Sequence, residues 1–134
     1  MYYQEKPGLI FYQKIGELFY AIAASDKVVR KEEYQALRKL VVDEWKAMDS
    51  IEDPFHSDAA YQIEIVFEWF DYEGMDATDC FENFNSYFME NKKHFSPERK
   101  KLIYTTADAI AASFSGKNKS ELIMLAKLKL LLKQ

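Results

Sequence analysis

The chain has 134 residues, of which 49% are hydrophobic and 30% charged, a balance typical of one globular domain and not of a disordered segment. The net charge is −4 and the lysines and arginines form no stripe interleaved with aromatic residues, so nucleic acid is not expected as a partner. The lone Cys80 cannot form an internal disulfide. No signal-peptide pattern opens the sequence, and its apolar runs are too short to span a bilayer. These features predict a cytoplasmic protein without direct membrane insertion.

Apolar residues recur at spacings of three and four along the chain, which predicts an all-α fold. Each predicted helix is separated from the next by a turn or capping signal, such as Gly74 after the third or Ser96-Pro97 before the fifth. The first four helices are expected near residues 9–24, 31–48, 58–72 and 77–92, the fifth begins at 97, and the last covers about 119–133.

The third helix carries apolar residues around most of its circumference, which predicts a central helix buried on several sides. Its aromatic residues should form a thick core together with those of the first helix. The side chains expected to be almost wholly buried are Ile22, Leu37, Trp69, Phe70, Ile110 and Leu125. For the aromatic residues near the N-terminus, a partner surface or a homodimer seam is an equally open interpretation. These residues are Tyr2, Tyr3, Phe11, Tyr12, Phe19 and Tyr20.

The five residues Ala-Ile-Ala-Ala-Ser occur twice, at 21–25 and again at 109–113. Superposing the two copies aligns Glu33 with Glu121 and Leu37 with Leu125, so the apolar stripes of the following helices fall into phase. We interpret residues 1–134 as a single compact bundle of six or seven helices with an internal helix-loop-helix repeat. The repeat units cover about 9–48 and 97–133, and the middle, 58–93, is divergent. A chance match between alanine-rich helix ends is the alternative.

The repeated motif, followed by Asp26 and by a helix whose first turn carries Glu32 and Glu33, resembles the TerB-like (tellurite-resistance) family. The resemblance implies an all-helical domain in two halves and a non-catalytic stress-response or adaptor module that binds a partner protein. It also implies a divalent-cation site at Asp26 and Glu33, for calcium, magnesium or manganese, to which Glu121 corresponds in the second copy. The sequence departs from the family pattern at Lys27, where the family has glycine, and at Phe114, where the second copy lacks the aspartate.

The acidic residues also have a local interpretation, in which Asp26 fixes the turn while Glu32 and Glu33 favour the positive end of the helix dipole. Lys27 and Arg30 place positive charge beside the proposed ion, so we expect weak cation binding at best. Two other functions are open: a metal-dependent enzyme that uses the acidic loops, and a pocket for an apolar ligand between the third and fourth helices.

The remaining reactive residues suggest structural roles. The stretch 71–82 has an acid at the first and last places of a calcium-binding loop. However, Met75 stands where the loop requires an oxygen ligand, and Asp76 stands where it requires a glycine. The end of one helix and the cap of the next explain this acidic stretch better. Cys80 is expected to be a packed, inert thiol. His56 and His94 have no neighbouring ligands at zinc spacing, and no catalytic motif is present.

Overall fold

The computed structural model describes residues 7–47, 59–113 and 116–134. This part of the chain is all-α, with six α-helices and no strand. The helices are α1 (Pro7–Ala23), α2 (Lys31–Leu40), α3 (Gln62–Glu73), α4 (Ala77–Glu90), α5 (Pro97–Ala112) and α6 (Lys119–Leu132). A π-helical turn, Val41–Trp45, extends α2, and short 3-10 turns cover Ala59–Tyr61 and Lys92–His94.

The helix ends follow the capping residues that the sequence offers. The Asp76 carboxylate accepts a hydrogen bond from the Asp79 amide at 3.0 Å at the start of α4, and the Ser96 hydroxyl accepts one from the Arg99 amide at 3.2 Å at the start of α5. Gly74 ends α3 in the left-handed conformation, with φ at 66°, which a residue without Cβ adopts readily. The predicted helices and caps are therefore confirmed within the described residues.

The central helix is α1, which packs against α3, α4, α5 and α6. The interpretation of the third helix as the central one is wrong. Only one strip of α3, including Ile63 and Phe67, faces the core, whereas Trp69 keeps 58% of its surface exposed and Phe70 is half-buried. Because α3 packs on α1 along one side only, its remaining apolar residues lie towards solvent. The other four predicted core residues, Ile22, Leu37, Ile110 and Leu125, are buried as expected.

Gly16 allows α1 and α3 to approach closely. A Cβ built at this position would lie 2.7 Å from the Ile63 carbonyl oxygen and 3.1 Å from the Val66 Cβ. A real Cβ does not fit at the first distance, and the obstructing atom belongs to the backbone, which has little freedom to move. The helix crossing therefore depends on glycine at this position.

The aromatic residues of α1 belong to the core and not to a partner surface. Phe11, Tyr12, Phe19 and Tyr20 are all buried. Tyr12 and Phe19 meet the fully buried ring of Trp45 edge to face, with centroids 6.3 and 6.1 Å away. Of the other residues considered from the sequence, Tyr2, Tyr3, His56 and Phe114 lie outside the described residues.

Candidate functional site

Asp26 closes the loop between α1 and α2. Its Oδ1 accepts a hydrogen bond from the Val28 amide at 3.1 Å, the geometry of an aspartate-stabilised turn. Lys27 sits inside this turn with φ at 70°, in the left-handed region that glycine adopts more easily. The loop therefore accepts a strained lysine conformation, and Asp26 supplies the bond that holds it.

The second oxygen of Asp26 joins the loop to a distant part of the chain. Oδ2 accepts hydrogen bonds from Arg30 Nη1 at 2.9 Å and from Asn118 Nδ2 at 2.7 Å. Asn118 is the N-cap of α6, so the bond connects the two segments that carry the repeated motif. Partial burial by itself would raise the pKa of Asp26, but the bonds from Arg30, Val28 and Asn118 outweigh it and hold the pKa below its usual range.

Glu33 and Glu121 occupy matching positions at the starts of α2 and α6. Glu33 Oε1 accepts a hydrogen bond from the Arg30 amide at 2.7 Å, and Glu121 Oε1 accepts one from the Asn118 amide at 3.0 Å. The Glu121 amide in turn donates to Asn118 Oδ1 at 2.9 Å, which completes a capping box on α6. Both glutamates are almost fully buried, with 1% and 2% of their surfaces exposed.

The two buried glutamates meet each other. Burial raises the pKa of Glu33 to about 8; the Arg30 amide and charge oppose this rise, while the hydrogen bond and the charge of Glu121 add to it. Among the described residues, Glu33 Oε2 has no hydrogen-bond donor, although it is buried. Two carboxyl groups in contact can bond only if one carries a proton, so we infer that the pair holds one proton at neutral pH.

The structure gives the two predicted cation ligands different roles. Arg30 contacts both of them, through its side chain at Asp26 and through its backbone amide at Glu33. Both Asp26 oxygens already accept hydrogen bonds, whereas Glu33 Oε2 is buried and accepts none from the part of the chain that the structure describes. Within the described ranges, no group of three or more histidine, cysteine, aspartate or glutamate side chains is arranged to hold a metal ion. The equivalence of Glu33 and Glu121 follows from the repeat alignment, and the sequence places the positive charge of Arg30 beside the acids, but nothing in it indicates that Asn118 donates to Asp26.

A second candidate surface lies on the solvent side of α3. Ile65, Trp69 and Tyr72 follow each other at spacings of four and three, and Tyr72 leaves 84% of its surface exposed. The exposed carboxylates of Glu68 and Glu73 flank this apolar strip. We call these five residues, Ile65, Glu68, Trp69, Tyr72 and Glu73, the α3 face. Exposed aromatic residues grouped on one helix are typical of binding surfaces.

The space between α3 and α4 does not resemble an enclosed apolar pocket. An open groove of about 510 Å³ lies near the α3–α4 turn, and its walls include the charged residues Lys27, Asp71 and Asp76 beside Tyr20 and Met75. Pockets for apolar ligands are instead lined mainly by hydrophobic side chains, with few polar groups. The groove therefore lacks the lining that an apolar-ligand site requires.

Cys80 has the character of a structural thiol. It is buried at the start of α4, and burial, together with the nearby charges of Glu17, Asp76 and Asp79, raises the pKa of the thiol to about 12. Because the thiolate is the reactive form, the thiol is inert at neutral pH, as predicted.

No family model matches the chain, and neither the curated proteins nor the solved structures contain a significant match. The described helices include none with the length and apolar content needed to cross a membrane.

Proposed function

We propose that the chain is a non-catalytic, TerB-like stress-response or adaptor module that binds a partner protein through the α3 face. The observation that carries the proposal is the exposure of Trp69 and Tyr72 on a helix whose other side is packed in the core. Burying such side chains in a complex removes a large apolar area from water, and tryptophan and tyrosine are enriched where binding energy concentrates. A cytoplasmic location is part of the same proposal and rests on the lone cysteine.

The charge around the α3 face supports a partner of defined character. Residues 59–91 contain no lysine or arginine and include eight acids: Glu64, Glu68, Asp71, Glu73, Asp76, Asp79, Glu82 and Glu90. An acidic surface attracts basic partners over distances of about 10 Å at moderate salt and repels acidic ones. The partner should therefore present apolar side chains surrounded by lysine or arginine.

The proposal includes a compact bundle built from two related helix-loop-helix units. Three structural features that occur in both units support the repeat. The hydroxyls of Ser25 and Ser113 donate to the carbonyls of Ile22 and Ile110, at 2.9 and 2.7 Å. The other two are the paired roles of Glu33 and Glu121 described above and the burial of Leu37 and Leu125 at equivalent places.

The binding proposal predicts that Trp69→Ala weakens binding of a partner protein without unfolding the domain. Quantitative affinity capture would compare the parent chain, Trp69→Ala and the control Val42→Ala, which truncates an apolar side chain of similar exposure in the turn after α2. The amount of a protein that the parent and the control both capture should fall at least about tenfold with Trp69→Ala, because a central aromatic contact contributes about 2 kcal/mol or more to the binding free energy. The purified partner should then reproduce the difference. Identical retention by all three chains would contradict the proposal.

A cation held at Glu33 is the second candidate function, favoured by the buried Oε2 of Glu33, which has no donor within the described ranges, and by the neighbouring carboxyl group of Glu121. Two carboxylates provide few of the six to eight oxygens that calcium prefers, so we expect a dissociation constant of about 1 mM or weaker. Calorimetry with calcium, magnesium and manganese would compare the parent with Glu33→Gln, Asp26→Asn and the exposed neighbour Glu32→Gln. Loss of binding in Glu33→Gln alone supports Glu33 as a ligand, and loss in both Glu33→Gln and Asp26→Asn supports a site formed by Glu33 and Asp26. No heat of binding in the parent rejects the site.

A further inference from the structure

The chain carries a second exposed surface whose chemistry is opposite to that of the α3 face. On α6, Leu122, Ile123 and Leu130 are exposed, and Leu130 keeps 64% of its surface in contact with solvent. The exposed residues Lys129 and Lys133 lie near them at the C-terminal end of the same helix, and the Lys129 ammonium is 6.0 Å from the centre of the Tyr104 ring of α5. We call this set of five the α6 face. Ile123 and Leu130 lie seven residues apart on one side of α6, and with the lysines they offer the exposed apolar side chains and the positive charge that the α3 face requires of a partner.

The charge of residues 59–134 is divided in the same way. Residues 92–134 contain ten basic residues and three acids, whereas residues 59–91 contain eight acids and no base. The two faces are also of similar length. At a rise of about 1.5 Å per residue, Ile65 and Tyr72 lie about 10 Å apart along α3, and Leu122 and Leu130 lie about 12 Å apart along α6.

A groove beside the α6 face offers a place for an aromatic side chain. It lies between α4 and α6 and has a volume of about 550 Å³. Its apolar lining includes Phe81, Met89, Met124, Leu130 and Leu131, and its polar lining includes Thr78, Glu82, Asn85, Lys127 and Gln134. Methionine-rich walls adapt to aromatic rings and form favourable sulfur contacts with them. Trp69 is the largest side chain of the α3 face, is 58% exposed, and is suited to this groove.

We propose that the α3 face of one chain binds the α6 face of a second copy, so that the protein associates head to tail. The inference rests on the proposed function, because it identifies the partner of the α3 face. Contact between two α3 faces would place Glu68 and Glu73 against the same acids, and contact between two α6 faces would oppose lysines. Only the mixed pairing brings opposite charges together, and such heterologous contacts extend into chains or rings.

The test uses sedimentation velocity of the full chain at about 10–500 µM in low salt. The weight-average sedimentation coefficient of the parent should rise with concentration, and this rise should weaken at about 0.5 M salt because the Debye length is then only a few ångströms. Trp69→Lys blocks the α3 face and Leu130→Glu blocks the α6 face; both side chains are exposed, and far-UV circular dichroism would confirm that the variants fold. Each variant alone should remain monomeric.

Mixing the two blocked variants decides the geometry. Each variant retains one intact face, so an equimolar mixture should form a species of two chains and no larger species. The control Val42→Ala should associate as the parent does. A parent that is monomeric throughout, or a mixture that does not associate, overturns the head-to-tail proposal. If Trp69→Ala still loses a captured partner in that case, the α3 face binds a different protein and the proposed function stands. Persistent self-association of Leu130→Glu alone also overturns the proposal, since it requires another contact surface.

Discussion

Trp45→Ala is expected to lower the free energy of unfolding by about 3–5 kcal/mol, the range for loss of a fully buried large aromatic side chain. Trp45 has no exposed surface, and its indole N–H donates a hydrogen bond to the buried Thr106 hydroxyl at 3.0 Å. The substitution thus removes a large apolar volume where the turn after α2 packs on the aromatic rings of α1, and it also leaves the Thr106 oxygen of α5 without its donor. Urea unfolding followed by circular dichroism would measure the difference.

The second tryptophan provides the matched control. Trp69→Ala removes the same side chain from an exposed position, so its effect on the free energy of unfolding should be within about 1 kcal/mol. Trp45→Phe keeps much of the ring volume and isolates the loss of the hydrogen bond, with an expected cost of about 1–3 kcal/mol. Equal destabilisation by the two alanine variants would show that Trp69 is buried and that the α3 face is not open to solvent.

Glu33 is expected to make the folded state less stable as pH rises from about 5 to 8. In the unfolded chain its carboxyl should titrate near its ordinary pKa of about 4.3, whereas burial raises the pKa to about 8 in the folded chain. The folded state therefore binds more protons in this range, and the contribution of the protonated group to stability is complete below about pH 4 and declines as pH rises towards 8. The loss should amount to about 2–4 kcal/mol across the range.

Glu33→Gln should remove this dependence. The glutamine oxygen can still accept the Arg30 amide bond, and its NH₂ group can donate to Glu121, so the variant imitates the protonated acid. We expect Glu33→Gln to match the parent near pH 5 and to exceed it in stability at pH 8, while the exposed control Glu32→Gln follows the parent. Parallel curves for the parent and Glu33→Gln between pH 5 and 8 would show that the pair does not share a proton.

The sequence was sufficient for the elements that depend on local chemistry. Helix periodicity, the caps Asp76 and Ser96, and the stop at Gly74 predicted the helices and several of their ends, because each signal acts within a few residues. The repeat alignment also paired Glu33 with Glu121. Their contact could not be derived, because it depends on how α6 packs beside the start of α2.

The sequence was insufficient for features that depend on which neighbours surround a helix. Apolar residues around α3 are equally compatible with a central helix and with a peripheral helix that leaves some of them exposed, so the pattern predicts burial of Trp69 although 58% of its surface is exposed. Likewise, the aromatic residues of α1 left a core and a partner seam equally open until Tyr12 and Phe19 were found around Trp45. Periodicity identifies an apolar face but does not identify what covers it.

The close crossing at Gly16 has a consequence for the ancestry of the chain. Because the obstructing atom is the Ile63 carbonyl oxygen, no exchange of a neighbouring side chain would make room for alanine, and a lineage that changes this glycine must also shift α3 as a whole. Position 16 should therefore remain glycine in homologues long after the surface residues have diverged. It offers a fixed point for aligning remote relatives whose overall similarity is too low to detect.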